Sequence, residues 1–182
     1  MLRGIALSAG DRSAGFGLIE FLVALLLFTT GAVGLVSSQI VAQRASHAAL
    51  QSTFALALAE DFLARIEANP LGIASYVVAH LKAGGRDAPE TDCRQSPCTP
   101  SELARHDLWQ ISHLLGAGSG DSAGPRLARL HAPIACVQQS GGEVTVHLSW
   151  RVHTAAPALT TAHCARDDGA RREVALSAWV AT

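Results

Sequence analysis

Charge of either sign is scarce in this chain, and what there is nearly cancels: 14 Lys and Arg against 15 Asp and Glu leave a net charge of −1 over 182 residues. No basic field therefore exists to draw in DNA or an acidic membrane surface, and no nucleic-acid partner is expected. Aromatics are only 5% of the residues, with a single tyrosine. Several catalytic signatures are missing as well: there is no His-Glu-x-x-His pair, no phosphate-binding loop and no dinucleotide fingerprint ahead of a helix. The glycine run Gly116-Ala117-Gly118-Ser119-Gly120 follows a predicted helix and has the character of a linker. Carboxylates such as Glu60 and Asp61 fall on a solvated helix face, so no enzymatic activity and no cofactor are expected.

The most informative scarcity is local. From Phe21 to Gln43 the chain runs 23 residues without one charge, and about 20 apolar residues suffice to cross the hydrocarbon core of a bilayer as an α-helix. Glu20 stands at the head of this run, where an ionised carboxylate without a partner costs roughly 2 to 4 kcal/mol in lipid. A secretory signal peptide would have a shorter apolar core and a small-residue cleavage site after it, and an ordinary single-pass anchor leaves Glu20 unexplained. The leader in front carries Arg3 and Arg12, which keep that end cytoplasmic, so the bulk of the chain is exported.

Gly15-Phe16-Gly17-Leu18-Ile19-Glu20 followed by an unbroken apolar helix resembles the class III signal of type IV prepilins and of type II secretion pseudopilins. The resemblance implies that a prepilin peptidase cuts after Gly15 and N-methylates Phe16. It also implies that Glu20 pairs with the N-terminal ammonium of a neighbouring subunit. Removing one member of such a pair strands the other, so the pair can act as a register device.

Beyond the span the apolar pattern becomes one-sided. Leu50, Phe54, Leu58, Phe62 and Ile66 recur at four-residue steps, which predicts an amphipathic helix. No glycine or proline interrupts Leu35 to Ala68, so span and amphipathic segment form one helix, roughly 80 Å long at 1.5 Å per residue. It ends at Asn69, because a residue before proline is pushed out of the α region. The run from Leu58 to Pro70, and later Asp107-Leu108-Trp109, resemble minor pilins of the PilV type. Leu71 to Pro100 has the composition of a mixed linker. Thr99-Pro100-Ser101-Glu102 forms a capping box with proline at the first helical position, and Leu103, Leu108, Ile111 and Leu115 give the helix that follows an apolar side. Three strands close the chain: Leu130 to Gln139, Glu143 to His153 after the turn Ser140-Gly141-Gly142, and Glu173 to Val180. Alternation in the second strand predicts one packed face and one wet face.

Four cysteines in an exported domain suggest disulfides, since the periplasm is oxidising, and they allow three connectivities. Pairing Cys93 with Cys98 closes a short loop, and pairing Cys136 with Cys164 ties the long connection between the last two strands back to the first. A zinc site around His163 and Cys164 is the rival, but the cysteine spacing is not that of common zinc modules, and no metal is expected. The eight histidines are scattered, and solvation is the default for most of them.

The expected fold is α+β, a pilin fold with the long helix packed on a small antiparallel sheet. Residues 1–15 form a removed leader, 16–68 the helix (transmembrane over 16–43, amphipathic over 44–68) and 69–182 a periplasmic globular domain. The resemblance implies a minor pilin held in the inner membrane by a single pass and then moved to the cell surface within a pilus. Its partners would be the prepilin peptidase, the pilus assembly platform and other major and minor pilins, met through the N-terminal helix. The alternatives are a minor pseudopilin of type II secretion and a membrane-anchored adhesin or DNA-binding pilin module.

Overall fold

In a computed structural model of the chain, residues 15, 17–116, 130–152, 164 and 170–181 are described below. Residues 1–14 of the predicted leader, Phe16, His153, His163 and most of the connection between the last two strands lie outside them. Helix α1 runs Leu18–Ala68 as a continuous 51-residue element. A single 3-10 turn, Pro70–Gly72, leads into the short α2, Ile73–Tyr76, and then strand β1, Val78–Lys82. Helix α3 spans Pro100–Gly116, followed by β2 His131–Ser140, β3 Glu143–Arg151 and β4 Arg171–Trp179. The strands form one antiparallel sheet in the order β1-β2-β3-β4. This is an α+β architecture consistent with the pilin fold. The chain divides into two compact units, Met1–Arg44 and Ala45–Thr182.

Within the second unit the core is built where three periodicities meet. Helix α1 contributes Ala55, Leu58, Ala59, Phe62 and Ile66, and α3 contributes Ala104, Leu108, Ile111 and Leu115, each set at the three- and four-residue steps of one helical face. Both faces lie against Ala135 and Val137 of β2 and Val144, Val146, Leu148 and Trp150 of β3. Burying a side chain such as Phe62 contributes roughly 1.5 to 3 kcal/mol. The four-residue stripe expected from Leu50 onward is buried only from Leu58, since Leu50 and Phe54 remain exposed.

Local signals fix the ends of these elements. Asn69, ahead of Pro70, leaves the helix at φ −130°, ψ 61°. At the start of α3 the Thr99 backbone N–H donates to Glu102 Oε2 at 2.8 Å while the Glu102 N–H reaches Thr99 Oγ1 at 3.4 Å, the reciprocal pattern of a capping box. These bonds from Thr99 hold the Glu102 carboxyl below its ordinary range. The β2–β3 turn uses Gly141 at φ 61°, a conformation that suits glycine, and pairs Ser140 with Glu143.

Two expectations are corrected. The stretch from Leu71 to Pro100 is more than a linker: it holds α2 and β1, which adds a fourth strand to the meander. Of the five β1 residues only Leu81 is buried, so the alternation that reveals a half-buried strand is missing. The second face of β3 is also not wet, because His147 and Ser149 are buried alongside Leu148 and Trp150.

Candidate functional site

The N-terminal unit holds the residues expected to be processed and to assemble. None of the α1 side chains from Leu18 to Arg44 is buried, and by length and composition the helix can cross a membrane. Three of its hydroxyls turn inward: Thr29 and Thr30 donate to the carbonyls of Leu26 and Leu27 at 2.9 Å, and Ser37 donates to that of Val33 at 3.0 Å. Each therefore satisfies its hydrogen without needing water. Gly15 is exposed. The Gly17 carbonyl opens the helix by accepting from the N–H groups of Glu20 at 3.0 Å and Phe21 at 3.2 Å. Glu20 thus lies in the first turn, where the helix dipole favours an anion. Among the described residues no side chain pairs with its carboxylate.

The other end of α1 is fastened by a polar clasp that the sequence did not announce. Arg65 donates to Asp61 Oδ2 at 3.1 Å, one turn back on the same helix, and to Asp107 Oδ1 at 3.2 Å and Gln110 Oε1 at 2.5 Å on α3. The Tyr76 hydroxyl donates to Asp107 Oδ2 at 2.5 Å, and Asn69 Nδ2 donates to the Tyr76 oxygen at 3.3 Å and to the Pro100 carbonyl at 2.8 Å. Burial, reinforced by the Asp107 carboxylate, pushes the Tyr76 phenol well above the usual tyrosine range and keeps it protonated. Gly72 makes the clasp sterically possible. A Cβ there would lie 2.6 Å from the Pro100 carbonyl oxygen and would also strike Asn69.

A second buried polar seam lies on the sheet face away from α1. His147 Nδ1 and Glu173 Oε1 are 2.7 Å apart, with both side chains buried. Arg171 donates to the Ala132 carbonyl at 2.7 Å and the Ser149 carbonyl at 3.2 Å. Ala132, at φ 46°, belongs to the irregular start of β2, so the guanidinium pins a bulge. Disulfides join Cys93 to Cys98 and Cys136 to Cys164, each with Cα atoms 5.5 Å apart. Cys136 pairs with His147 in the β2–β3 register, which places the second disulfide on the same seam. His106 departs from the solvation expected of most histidines and is buried, with Nε2 3.7 Å from Oδ1 of Asp92, the residue before Cys93.

Gly15 and Glu20 are thus in the N-terminal unit and the four cysteines in the other, while Phe16 is outside the described residues. Gly120-Asp121-Ser122-Ala123-Gly124 has the spelling of a nucleophile elbow. That motif requires a strand before it and a helix after it, whereas here α3 precedes and the segment itself is outside the described residues. The clasp had one available signal, Asp107 beside the core stripe of α3, a carboxylate where an apolar or solvated side chain is the norm.

A long apolar-then-amphipathic helix and an antiparallel meander are consistent with a pilin fold. Residues 37–109 match the family model Tt1218-like, described as type IV pilin Tt1218. The matched stretch covers the second half of α1, α2, β1 and the first part of α3 and supports a type IV pilin domain there; the proteins of that family are in general structural, non-enzymatic subunits that associate with other pilins. No curated protein and no solved structure matches the chain.

Proposed function

We propose that the chain is a minor pilin of the PilV type. A prepilin peptidase removes residues 1–15 and N-methylates Phe16. The processed subunit waits in the inner membrane through residues 16–43 with residues 69–182 in the periplasm. It then enters a pilus or its initiating complex, and so supports pilus biogenesis, adhesion or twitching motility. The observation that carries this is the coincidence of the type IV pilin match over residues 37–109 with a helix whose only charge between Leu18 and Gln43 is Glu20. The carboxylate, in the first turn and lacking a described partner, suits a role as acceptor for the terminal ammonium of an adjacent subunit.

Two measurements test the proposal. Mass spectrometry of the mature protein should find an N-terminus at methylated Phe16, and a mature chain beginning after Gln39 would refute it. Glu20→Ala should leave processing intact yet reduce recovery in sheared pili by on the order of tenfold or more, as expected when one member of a buried ion pair is stranded. Undiminished recovery would remove Glu20 from assembly. Co-purification with secretion pseudopilins instead of pilus subunits would replace the pilus assignment with the pseudopilin one.

A further inference from the structure

The outer face of the sheet changes character along its length. Towards Arg151 and Arg171 it is the buried polar seam. Towards the β2–β3 turn it opens, and Gln138, Ala175, Ser177 and Trp179 are exposed. Strand alternation and register put these on one surface: Thr145 pairs with both Gln138 and Ser177, and Glu143 pairs with Trp179. Trp179 is 79% exposed, an unusual position for an indole outside the membrane helix.

This indole is held by its surroundings. Its six-membered ring rests on Gly142, where a Cβ would come within 3.1 Å of Cε3 and Cζ3. The strand end beneath it is fixed by the Val180 N–H donating to the Gly142 carbonyl at 2.9 Å. The Cε3–Cζ3 side of the ring therefore lies against a glycine that leaves room for it, and the rest of the indole stays open to solvent. The small side chains Ala175 and Ser177 continue a low floor from the indole along β4 for about 13 Å at roughly 3.3 Å per residue. Amide, hydroxyl and carboxylate groups of Gln138, Thr145, Ser177 and Glu143 border that floor, and no lysine or arginine stands among these positions.

We propose that this surface is a binding site for a neutral oligosaccharide. A pyranose ring presents an apolar C–H face and an equatorial rim of hydroxyls. The first fits a rigid indole, and the second needs closely set donors and acceptors such as Gln138, Thr145, Ser177 and Glu143. Glu143, the only ionised group of the patch, disfavours an anionic ligand and accepts readily from hydroxyls. Neither processing at Gly15 nor pairing by Glu20 is needed for the site, so its failure and the failure of the assembly role are separately visible.

The test uses the full chain in a zwitterionic detergent without sugar headgroups, titrated calorimetrically with cellohexaose, chitohexaose, maltohexaose and xylohexaose. At least one should bind with a millimolar or lower Kd. Trp179→Ala should weaken it by about tenfold or more, and Trp179→Phe should retain part of it. Gly142→Ala, which sets a methyl group against the ring, should also weaken binding. An unchanged unfolding midpoint in the Trp179 variants certifies the fold. No heat with any of the four sugars at millimolar concentration overturns the proposal, as does equal affinity in Trp179→Ala. Loss of self-association in that variant without any sugar binding assigns the patch to contact with a second copy and overturns it equally.

Discussion

The two halves of α1 share one uninterrupted helix but use apolar residues in opposite ways. Phe28 is 74% exposed and Phe62 is 1% exposed, although both are phenylalanines in regular helical backbone. In the first half apolar residues occupy every face and none is buried within the chain. In the second half a stripe from Ala55 to Ile66 is buried, and the charged residues Glu60, Asp61, Arg65 and Glu67 lie off it. Hydrophobic content alone thus says little about where a segment contributes to folding, and periodicity says much more. An all-round apolar surface calls for a solvent or partner outside the chain, while a stripe calls for a core within it.

The largest effect that could break this contrast comes from truncating the two phenylalanines. Phe62→Ala should cost about 3 to 5 kcal/mol of globular-domain stability through cavity formation. Phe28→Ala should change it by less than about 0.5 kcal/mol. Denaturant unfolding of the full chain in detergent, followed by tryptophan fluorescence, measures both, and equal losses would abolish the distinction. A medium effect is expected from the clasp. Asp107→Ala leaves Arg65 and the Tyr76 hydroxyl short of an acceptor, at a cost of about 1 to 3 kcal/mol. A double-mutant cycle with Arg65→Ala should give a coupling of about 0.5 to 3 kcal/mol, and a coupling of zero would reduce the pair to a surface contact.

The smallest effect is one of pH. Tyr76 has a raised pKa in the folded chain, chiefly from burial and then from Asp107. The folded state therefore keeps the proton at a pH where an unfolded tyrosine, with its ordinary value of about 10, releases it. The stability linked to this group is complete below that ordinary value and is lost as pH rises through the folded one. Because the chain has a single tyrosine, Tyr76→Phe should remove the whole tyrosine contribution to the alkaline decline. An identical alkaline limb in the variant would show that Tyr76 is not protected.

Much of the frame was legible because its signals are local. The capping box at Thr99 and Glu102, the Gly141 turn and the alternation of β3 each need only a few consecutive residues. The long helix required only an absence of charge and breakers. What escaped depended on distant groups. Leu81 anchors β1 by meeting β2, and nothing in Val78–Lys82 alternates to announce it. His147 and Glu173 look solvated one strand at a time and are buried only because they face each other across β3 and β4. Leu50 and Phe54 continue the stripe in sequence, but burial on α1 begins at Ala55. The same limit held for the candidate sites: Gly15, Phe16 and Glu20 form a contiguous motif, whereas Arg65, Tyr76 and Asp107 come together only in three dimensions.

The clasp also bears on the order in which the chain acquires structure. Arg65 reaches Asp107 across 42 residues and Gln110 across 45, and closing a loop of that size costs about 3 kcal/mol of chain entropy beyond a constant term. The hydrogen bonds within α1 and the β2–β3 hairpin close over a few residues each and carry no such cost. Helix and hairpin can therefore form early, and the salt bridge reports late docking of α3 onto a rod that already exists. A kinetic experiment on Asp107→Ala should accordingly show faster unfolding with a nearly unaltered refolding rate.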